Sequence, residues 1–568
     1  MSNYPLRILY DSAKAEYKTP FGCIREGENC RVSISVPISS EPIAVNVVFE
    51  HEDGQFLTVP LGIVRDENEY RHFSGDFSIS ESGLYFYYFV VRKEFSSFRL
   101  FRYGDHDTNI EDGEKWQLTV LPKDYKIPDG FGGKIMYQIF PDRFHKSGEC
   151  DLTDKLKPFT VHKDITEPPM KGADENGFWN TDFYGGNLRG IEEKLPYLSS
   201  LGVGVIYLNP IFMAFSNHRY DTADYMRIDP MLGTEEDFVS LCRSAKEHGI
   251  KIILDGVFSH VGSNSKYFDR EGIFGGGAIS DPNSEYRSWF DFKNYPDEYT
   301  SWWDIDTLPC VNEMCDGFLD LIIRNEDSVV AHWLRLGANG FRLDVADELP
   351  DEFIALLRKR VKEIDPNAIV IGEVWEDASN KISYDVRRKY FSGGELDGVM
   401  NYPFRDAIIN LLCGRICPIE FRSIIERIYE NYPFDALNCS MTFLSSHDTT
   451  RILTELAREI SDTVKALKLA SAIQFFLPGM PSIYYGDEVG MTGGSDPYNR
   501  GYFCPTENAD ELTAHYKYLT SLRNTSHALQ NGDLTITLDG DTVTVTRSLE
   551  NESISLTFDH INLPYDIK

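Results

Sequence analysis

The pattern of hydrophobic and polar positions changes near residue 125 of the chain. Before that point, short apolar or alternating runs such as 31–36, 43–49 and 84–91 are separated by glycine, asparagine and aspartate. Alternation with a period of two is typical of strands that bury one face, and turn residues at this spacing favour antiparallel pairing. Residues 1–125 are therefore predicted to form an N-terminal antiparallel β-sandwich.

From about residue 132 the pattern becomes an alternation of strands and helices. One helical stretch, 234–248, opens with a threonine cap and an acidic first turn. Eight buried strands that alternate with helices predict an α/β fold, a (β/α)8 TIM barrel over residues 132–528. The eight apolar runs that carry this prediction are 134–141, 202–210, 251–260, 340–346, 368–375, 398–404, 440–448 and 482–487.

Two regions lie outside this simple alternation. Residues 261–325, after the third apolar run, are rich in Gly, Tyr, Trp and Asp. Long excursions from a compact barrel are usually functional, so an insertion domain over the site is predicted there. At the other end, three strand-like runs (534–538, 542–548 and 553–558) predict a small C-terminal β-sheet within residues 529–568.

Composition narrows the classes of partner. The chain has 568 residues and a formal net charge of −33, which argues against nucleic acid and anionic membranes as partners. No apolar run is long enough for a spanning helix, and the N-terminus lacks the pattern of a secretory signal. The 10 cysteines lack zinc-ligand spacing and are predicted to be reduced thiols, which favours a cytoplasmic protein with no metal.

Candidate chemistry lies at the carboxyl ends of the predicted strands. Arg342 and Asp344 are two residues apart on the fourth strand and therefore share a face. The arginine is expected to keep Asp344 ionised, as a nucleophile requires. Glu373 ends the fifth strand, and adjacent strands lie about 4.8 Å apart. A carboxyl pair about 5 Å apart suits a retaining glycosidase better than an inverting one, with Asp344 attacking the sugar and Glu373 as acid and base.

Other strand ends supply groups that can bind a sugar. Asp448 follows the seventh strand and could bond sugar hydroxyls more strongly as positive charge develops on the ring. His260 and His447 lie beside these carboxylates, and neutral imidazoles can bond hydroxyls. Tyr220 and Trp375 are placed to stack on sugar rings.

Four ordered motifs carry a family resemblance: Asp255–His260, Gly340–Glu348, Gly372–Trp375 and Phe443–Asp448. They resemble those of glycoside hydrolase family 13, the α-amylase family. The N-terminal sandwich is similar to that of neopullulanases, cyclomaltodextrinases and maltogenic amylases. Flanking segments also match, at 137–144, 182–188, 207–212 and 479–488.

The resemblance implies a retaining hydrolase of α-1,4 and α-1,6 glucosidic bonds in maltodextrins, pullulan or cyclodextrins. It implies that Asp344 is the nucleophile, Glu373 the acid/base and Asp448 the transition-state stabiliser. It needs no cofactor, and it implies a homodimer formed through the N-terminal domain. The substrate-binding residues would be Tyr220, Asp255, His260, Arg342, Trp375 and His447.

Departures from the family pattern matter in two places. Ser259 stands where many α-amylases have a calcium-binding asparagine, and the segment 145–148 replaces an Asn/Asp-rich calcium loop, so no bound calcium is expected. Asp347 and Glu348 replace the Lys-His pair typical of secreted α-amylases, which argues against a plain α-amylase, and segment 306–313 looks closer to the pullulan-active branch. Two alternatives stay open: a 4-α-glucanotransferase, and a noncatalytic glucan-binding protein, although the latter would be expected to have lost a carboxylate.

Overall fold

The computed structural model describes residues 6–104, 106–175 and 177–568, and within them the chain forms two compact units. The first consists of the described part of Met1–Lys126 together with Asp377–Glu395 and Ile419–Leu437. The second consists of Ile127–Glu376, Leu396–Pro418 and Asn438–Lys568.

The first unit contains a ten-stranded sheet that is antiparallel except where Trp116–Leu121 pairs with Ile24–Arg25. The alternation in Gly83–Arg92 buries Tyr87 and Phe89 against Trp116, as a strand with one apolar face should. The predicted N-terminal antiparallel sheet is confirmed. Its strands are Lys18–Thr19, Ile24–Arg25, Cys30–Pro37, Ala44–His51, Phe56–Glu67, Tyr70–Phe77, Gly83–Arg92, Ser97–Tyr103, Asp107–Ile110 and Trp116–Leu121.

Smaller elements complete the first unit. A two-stranded hairpin joins Ile382–Ser383 to Val386–Arg387. Residues 419–437 supply most of the helices Pro418–Asn431 and Phe434–Asn438.

The second unit is built on a closed parallel barrel of eight strands, which confirms the predicted (β/α)8 fold. Nearly every residue of these strands is buried, as expected when helices cover the outer face. The strands, numbered one to eight below, are Met136–Ile139, Val205–Leu208, Lys251–Gly256, Gly340–Leu343, Ile369–Val374, Gly398–Asn401, Met441–Phe443 and Met480–Tyr484. The helices of this unit with eight or more residues are Leu188–Ser200, Glu235–Glu247, Val329–Leu336, Asp351–Ile364, Tyr402–Leu412, Thr463–Phe476 and Ala509–Thr525.

The insertion after the third strand contains only short elements. These include the hairpin of Phe292–Asn294 and Glu298–Tyr299 and the single-turn helix Trp302–Asp304. The C-terminal sheet has four strands, Asp533–Asp539, Thr542–Leu549, Glu552–Asp559 and Tyr565–Ile567. The prediction of three strands missed the last one, because three residues are too few to show an alternating pattern.

Two buried arginines lie at the N-terminal end of the barrel. Arg547, from the C-terminal sheet, donates to the carbonyl of Phe476 at 3.0 Å. Burial lowers the pKa of Arg523, and the like charge of Arg547 lowers it further. Arg523, on the helix Ala509–Thr525, donates to the carbonyls of Gly133, Phe475, Leu477 and Gly479.

Two further features of the structure concern possible membrane-spanning helices and the state of the cysteines. Within the described ranges, no helix is both long enough and apolar enough to span a bilayer. All 10 cysteines, each of them in a described range, are free thiols.

Candidate active site

Arg342 organises the carboxylates at the C-terminal end of the barrel. It pairs in register with Asp255 on the third strand, and its side chain is 1% exposed. Nη1 donates to Asp255 at 2.8 Å and to Asp344 at 2.7 Å, while Nη2 lies 2.6 Å from Glu373. One planar guanidinium therefore contacts carboxylates from three neighbouring strands, a geometry that suits its fork of donors.

The protonation of Asp344 differs from the sequence prediction, whereas that of Glu373 agrees with its expected role as an acid. Arg342 was expected to keep Asp344 ionised, but burial raises the pKa of Asp344 well above its ordinary range, and repulsion from Glu373 adds to this. Burial also raises the pKa of Glu373, against the opposing effect of Arg342. Because one arginine is shared among several carboxylates, the pair is set to hold a proton between them.

Val345 connects the two carboxylates through the backbone. It follows Asp344 directly and has φ 35° and ψ 68°, a left-handed conformation that β-branched residues rarely adopt. In this conformation its N–H donates to Glu373 Oε2 at 3.0 Å. The turn after the fourth strand thus fixes one oxygen of Glu373.

Asp255 uses both of its oxygens on protein groups. Besides Arg342, it accepts the hydroxyl of Tyr207 at 2.6 Å and that of Tyr220 at 2.8 Å. The Tyr220 ring also stacks on His447, with centroids 5.3 Å apart and planes at 5°. Asp255 is therefore placed to orient Tyr220 and Arg342.

Asp448 lies beyond the seventh strand, in a loop rather than at the strand end. His447 Nε2 is 3.0 Å from one of its oxygens, and Arg500 donates to the other at 3.3 Å. Burial opposes its charge, but these contacts hold the pKa of Asp448 below its ordinary range. The Gln138 side-chain amide lies 2.9 Å from His447 Nδ1, a contact that orients the ring with Nε2 facing Asp448.

His260 and Trp375 complete the set of predicted residues. Burial lowers the pKa of His260 to about 4, so its imidazole is neutral, and a backbone hydrogen bond involving Tyr220 only partly opposes this. Trp375 is 47% exposed and stacks on Tyr402, with ring centroids 4.4 Å apart. The hydroxyl of Tyr402 donates to Glu373 at 3.2 Å. Contacts therefore bring all nine predicted residues together in the second unit.

The insertion adds an aromatic pair to this end of the barrel. Trp302 and Trp303 stack with centroids 4.9 Å apart, and Trp302 lies 5.2 Å from the His260 ring. Both indole N–H groups donate to Glu348, four residues after Asp344. Burial raises the pKa of the nearby Glu313 to about 8, and the charge of Glu348 raises it further.

Four residues that contact the site were not predicted from the sequence: Gln138, Tyr207, Tyr402 and Arg500. Gln138 and Tyr207 lie in segments that carried the family resemblance, at 137–144 and 207–212, which was the available signal. Tyr207 and Tyr402 belong to the buried apolar cluster, so in the sequence they look like core aromatics. Among the residues that the structure describes, no group of three or more His, Cys, Asp or Glu side chains could hold a metal ion.

Comparisons with known proteins agree with this geometry. The model of the α-amylase catalytic domain matches residues 138–515. An amylopullulanase of Thermoanaerobacter thermohydrosulfuricus is 33% identical over 96% of this chain, and the chain spans 40% of that relative's length. A cyclomaltodextrinase of Geobacillus thermopakistaniensis is 34% identical, over 74% of this chain and 67% of its own.

Solved structures of similar fold also include α-glucan hydrolases. A cyclomaltodextrinase structure has a TM-score of 0.68 and 26% identity, covering 96% of this chain and 91% of its own. A cyclic α-maltosyl-(1→6)-maltose hydrolase of Arthrobacter globiformis has a TM-score of 0.65 and 29% identity, covering 76% of this chain and 92% of its own. With the matched domain, the barrel and these relatives, the chain belongs to the α-amylase family of glycoside hydrolases.

Proposed function

We propose that the protein is a retaining glycoside hydrolase that cleaves α-1,4 and also α-1,6 glucosidic bonds in maltodextrins, pullulan or cyclodextrins. The observation that carries the proposal is the shared contact of Arg342 with Asp344 and Glu373. Two carboxyl groups on one guanidinium are close neighbours, as a retaining pair about 5–5.5 Å apart requires. Names of the relatives, amylopullulanase and cyclomaltodextrinase among them, support the substrate class.

In the first step Asp344 attacks the anomeric carbon. A bond forms between its oxygen and C1, the glycosidic C–O bond breaks, and the proton of Glu373 passes to the departing oxygen. The pair shares one proton, and the step begins with that proton on Glu373 and with Asp344 as the carboxylate. Asp448, held ionised by its contacts with His447 and Arg500, faces the positive charge that develops on the ring.

In the second step water replaces the leaving group. Glu373, now a carboxylate, takes a proton from water, the oxygen bonds to C1, and the ester to Asp344 breaks. His260 is neutral and Tyr220 has its hydroxyl held by Asp255, so both can bind the sugar without exchanging a proton. No cofactor enters either step.

The stereochemistry of the product tests the mechanism. Proton NMR recorded in the first minutes of maltoheptaose hydrolysis should show the α-anomer before mutarotation sets in. Early appearance of the β-anomer would mean inversion and would exclude Asp344 as a covalent nucleophile. The absence of any hydrolysis would favour a noncatalytic glucan-binding protein.

A 4-α-glucanotransferase is the second candidate, favoured by the exposed aromatic surface of Trp375 and Trp303, which are 47% and 71% exposed. Such rings can hold an acceptor sugar in place of water. Products longer than maltoheptaose would support transfer. With pullulan as the substrate, panose would indicate α-1,4 cleavage, and maltotriose would indicate α-1,6 cleavage.

The remaining predictions concern location and assembly. Ten free thiols support a cytoplasmic location. A homodimer through the N-terminal domain is supported by four exposed apolar side chains on the strand Phe56–Glu67, namely Phe56, Leu57, Ile63 and Val64. Light scattering of the full chain, compared with a Val64→Glu variant, should show a dimer that the variant weakens; a monomer in both would refute it.

A further inference from the structure

Tyr402 touches the proposed acid/base residue but has no assigned role. It is the first residue of the helix Tyr402–Leu412, after the sixth barrel strand, and Asn401 caps this helix by accepting the N–H of Phe404 at 3.1 Å. The cap fixes where the helix begins, and the Tyr402 side chain is buried in the barrel core. From there its hydroxyl donates to Glu373 Oε1 at 3.2 Å.

The two oxygens of Glu373 have different partners. Oε2 accepts the N–H of Val345 at 3.0 Å and lies 2.6 Å from Arg342 Nη2, so a backbone donor and a fixed positive charge both lie beside this oxygen and disfavour a proton on it. Among the hydrogen bonds within the described ranges, Oε1 accepts only that of Tyr402. Oε1 is thus the oxygen with room for a proton that can be passed to a substrate.

The Tyr402 ring is held on two sides. Trp375 stacks on it at 4.4 Å with planes at 13°, and Phe443 packs edge-on at 4.8 Å with planes at 87°. A ring clamped in this way keeps its hydroxyl in one place. The position of Oε1 therefore depends on a rigid aromatic group rather than on a flexible side chain.

We propose that Tyr402 is a positioning residue for proton transfer, which holds Oε1 of Glu373 toward the leaving group. This inference rests on the proposed function, since it takes Glu373 as the acid/base. In the step itself, the proton on Oε1 goes to the departing oxygen while the C1–O bond breaks and the bond to Asp344 forms. Tyr402 keeps its own proton throughout.

The Tyr402 hydroxyl also favours the ionised form of Glu373, because a donated hydrogen bond stabilises a carboxylate. Its removal should raise the pKa of Glu373 and move the alkaline limb of the kcat/KM profile to higher pH. The other titratable or charged groups that face Glu373 are Tyr207, Arg342, Asp344, His447 and Asp448.

The experiment compares Tyr402→Phe with the parent enzyme on two substrates. Maltoheptaose needs a protonated leaving group, whereas fluoride leaves α-maltosyl fluoride without one. We expect kcat/KM for maltoheptaose to fall about 10- to 100-fold, as for the loss of one hydrogen bond to a charged group, while that for the fluoride stays nearly unchanged. Equal losses on both substrates with an unmoved alkaline limb would show a merely structural role and overturn the proposal.

Two further variants separate this inference from the function beneath it. Glu373→Gln should lose maltoheptaose cleavage but still release about one fluoride per active site in a rapid first turnover, after which release stalls because the base of the second step is also missing. If it cleaves both substrates normally, the acid assignment itself fails, whatever Tyr402→Phe does. Tyr137→Phe is the matched control, because this buried tyrosine also donates to a glutamate, Glu488, at 2.8 Å. It should leave the ratio of the two substrates and the alkaline limb unchanged.

Discussion

The two ends of the barrel use buried arginines in opposite ways. At the C-terminal end, Arg342 contacts three carboxylates; burial opposes its charge, but Asp255 and Glu373 raise its pKa. At the N-terminal end, Arg523 donates to backbone carbonyls, and its pKa is lowered. Carboxylates can exchange protons and form bonds, whereas carbonyls of the main chain only hold structure. In the proposed function the same type of side chain therefore serves chemistry at one end and stability at the other, the division expected of such barrels.

The largest effect is expected from Asp344→Asn, which should impair the chemistry at the C-terminal end of the barrel without lowering stability. The amide keeps the size of the side chain but cannot form a glycosyl ester, so kcat for maltoheptaose should fall by about 10⁴-fold or more. The melting temperature should hold or rise, because a carboxyl group whose ionisation is disfavoured by burial and by Glu373 is replaced by a neutral amide. Activity assays and calorimetry check both; full activity would refute the nucleophile assignment.

Arg523→Met, at the N-terminal end of the barrel, should have the opposite result: lower stability with unchanged activity. Four carbonyls lose their donor, which should lower the free energy of unfolding by about 3 kcal/mol or more. The kcat of the enzyme that stays folded should not change. Urea unfolding followed by fluorescence measures the loss, with the exposed Arg243→Met as control. A stable variant with reduced kcat would show that the two ends are not separable.

The smallest effect should come from Glu313→Gln. This variant tests whether a buried carboxyl group at the C-terminal end of the barrel makes the free energy of unfolding depend on pH. The pKa of Glu313 is raised from 4.5 to about 8 in the folded protein. Between those values the folded state binds a proton that the unfolded chain releases, so the free energy of unfolding falls as pH rises. The variant should lose less melting temperature between pH 5 and pH 8 than the parent protein, whereas the exposed Glu298→Gln should match the parent.

The barrel and much of its site could be predicted because both follow from periodicity. Arg342 and Asp344 share a face by alternation, and Glu373 lies on the adjacent strand, so their proximity needs only the strand order. Asp448 shows the limit of this reasoning. It lies in a loop beyond Phe443, the last residue of the seventh strand, and its contacts with Arg500 depend on chain that returns from far along the sequence.

Other features were hidden because their residues have ordinary structural uses. Tyr402 begins a helix and lies in the core, so nothing in the sequence distinguishes its hydroxyl from that of any buried tyrosine. Arg523 lies on a helix, where an arginine is usually a surface charge. The expected ionisation of Asp344 was wrong in direction because alternation shows Arg342 beside it but shows neither its burial nor the charge of Glu373.

The left-handed turn at Val345 lowers the folding stability of the protein. A β-branched residue at φ 35° gives up about 1–3 kcal/mol of folding free energy relative to an unstrained turn. In return, its N–H reaches Glu373. Stability and the alignment of the proposed acid thus depend on the same two dihedral angles, next to the proposed nucleophile. Selection for higher thermal stability that relaxes this turn would therefore be expected to slow the proposed reaction.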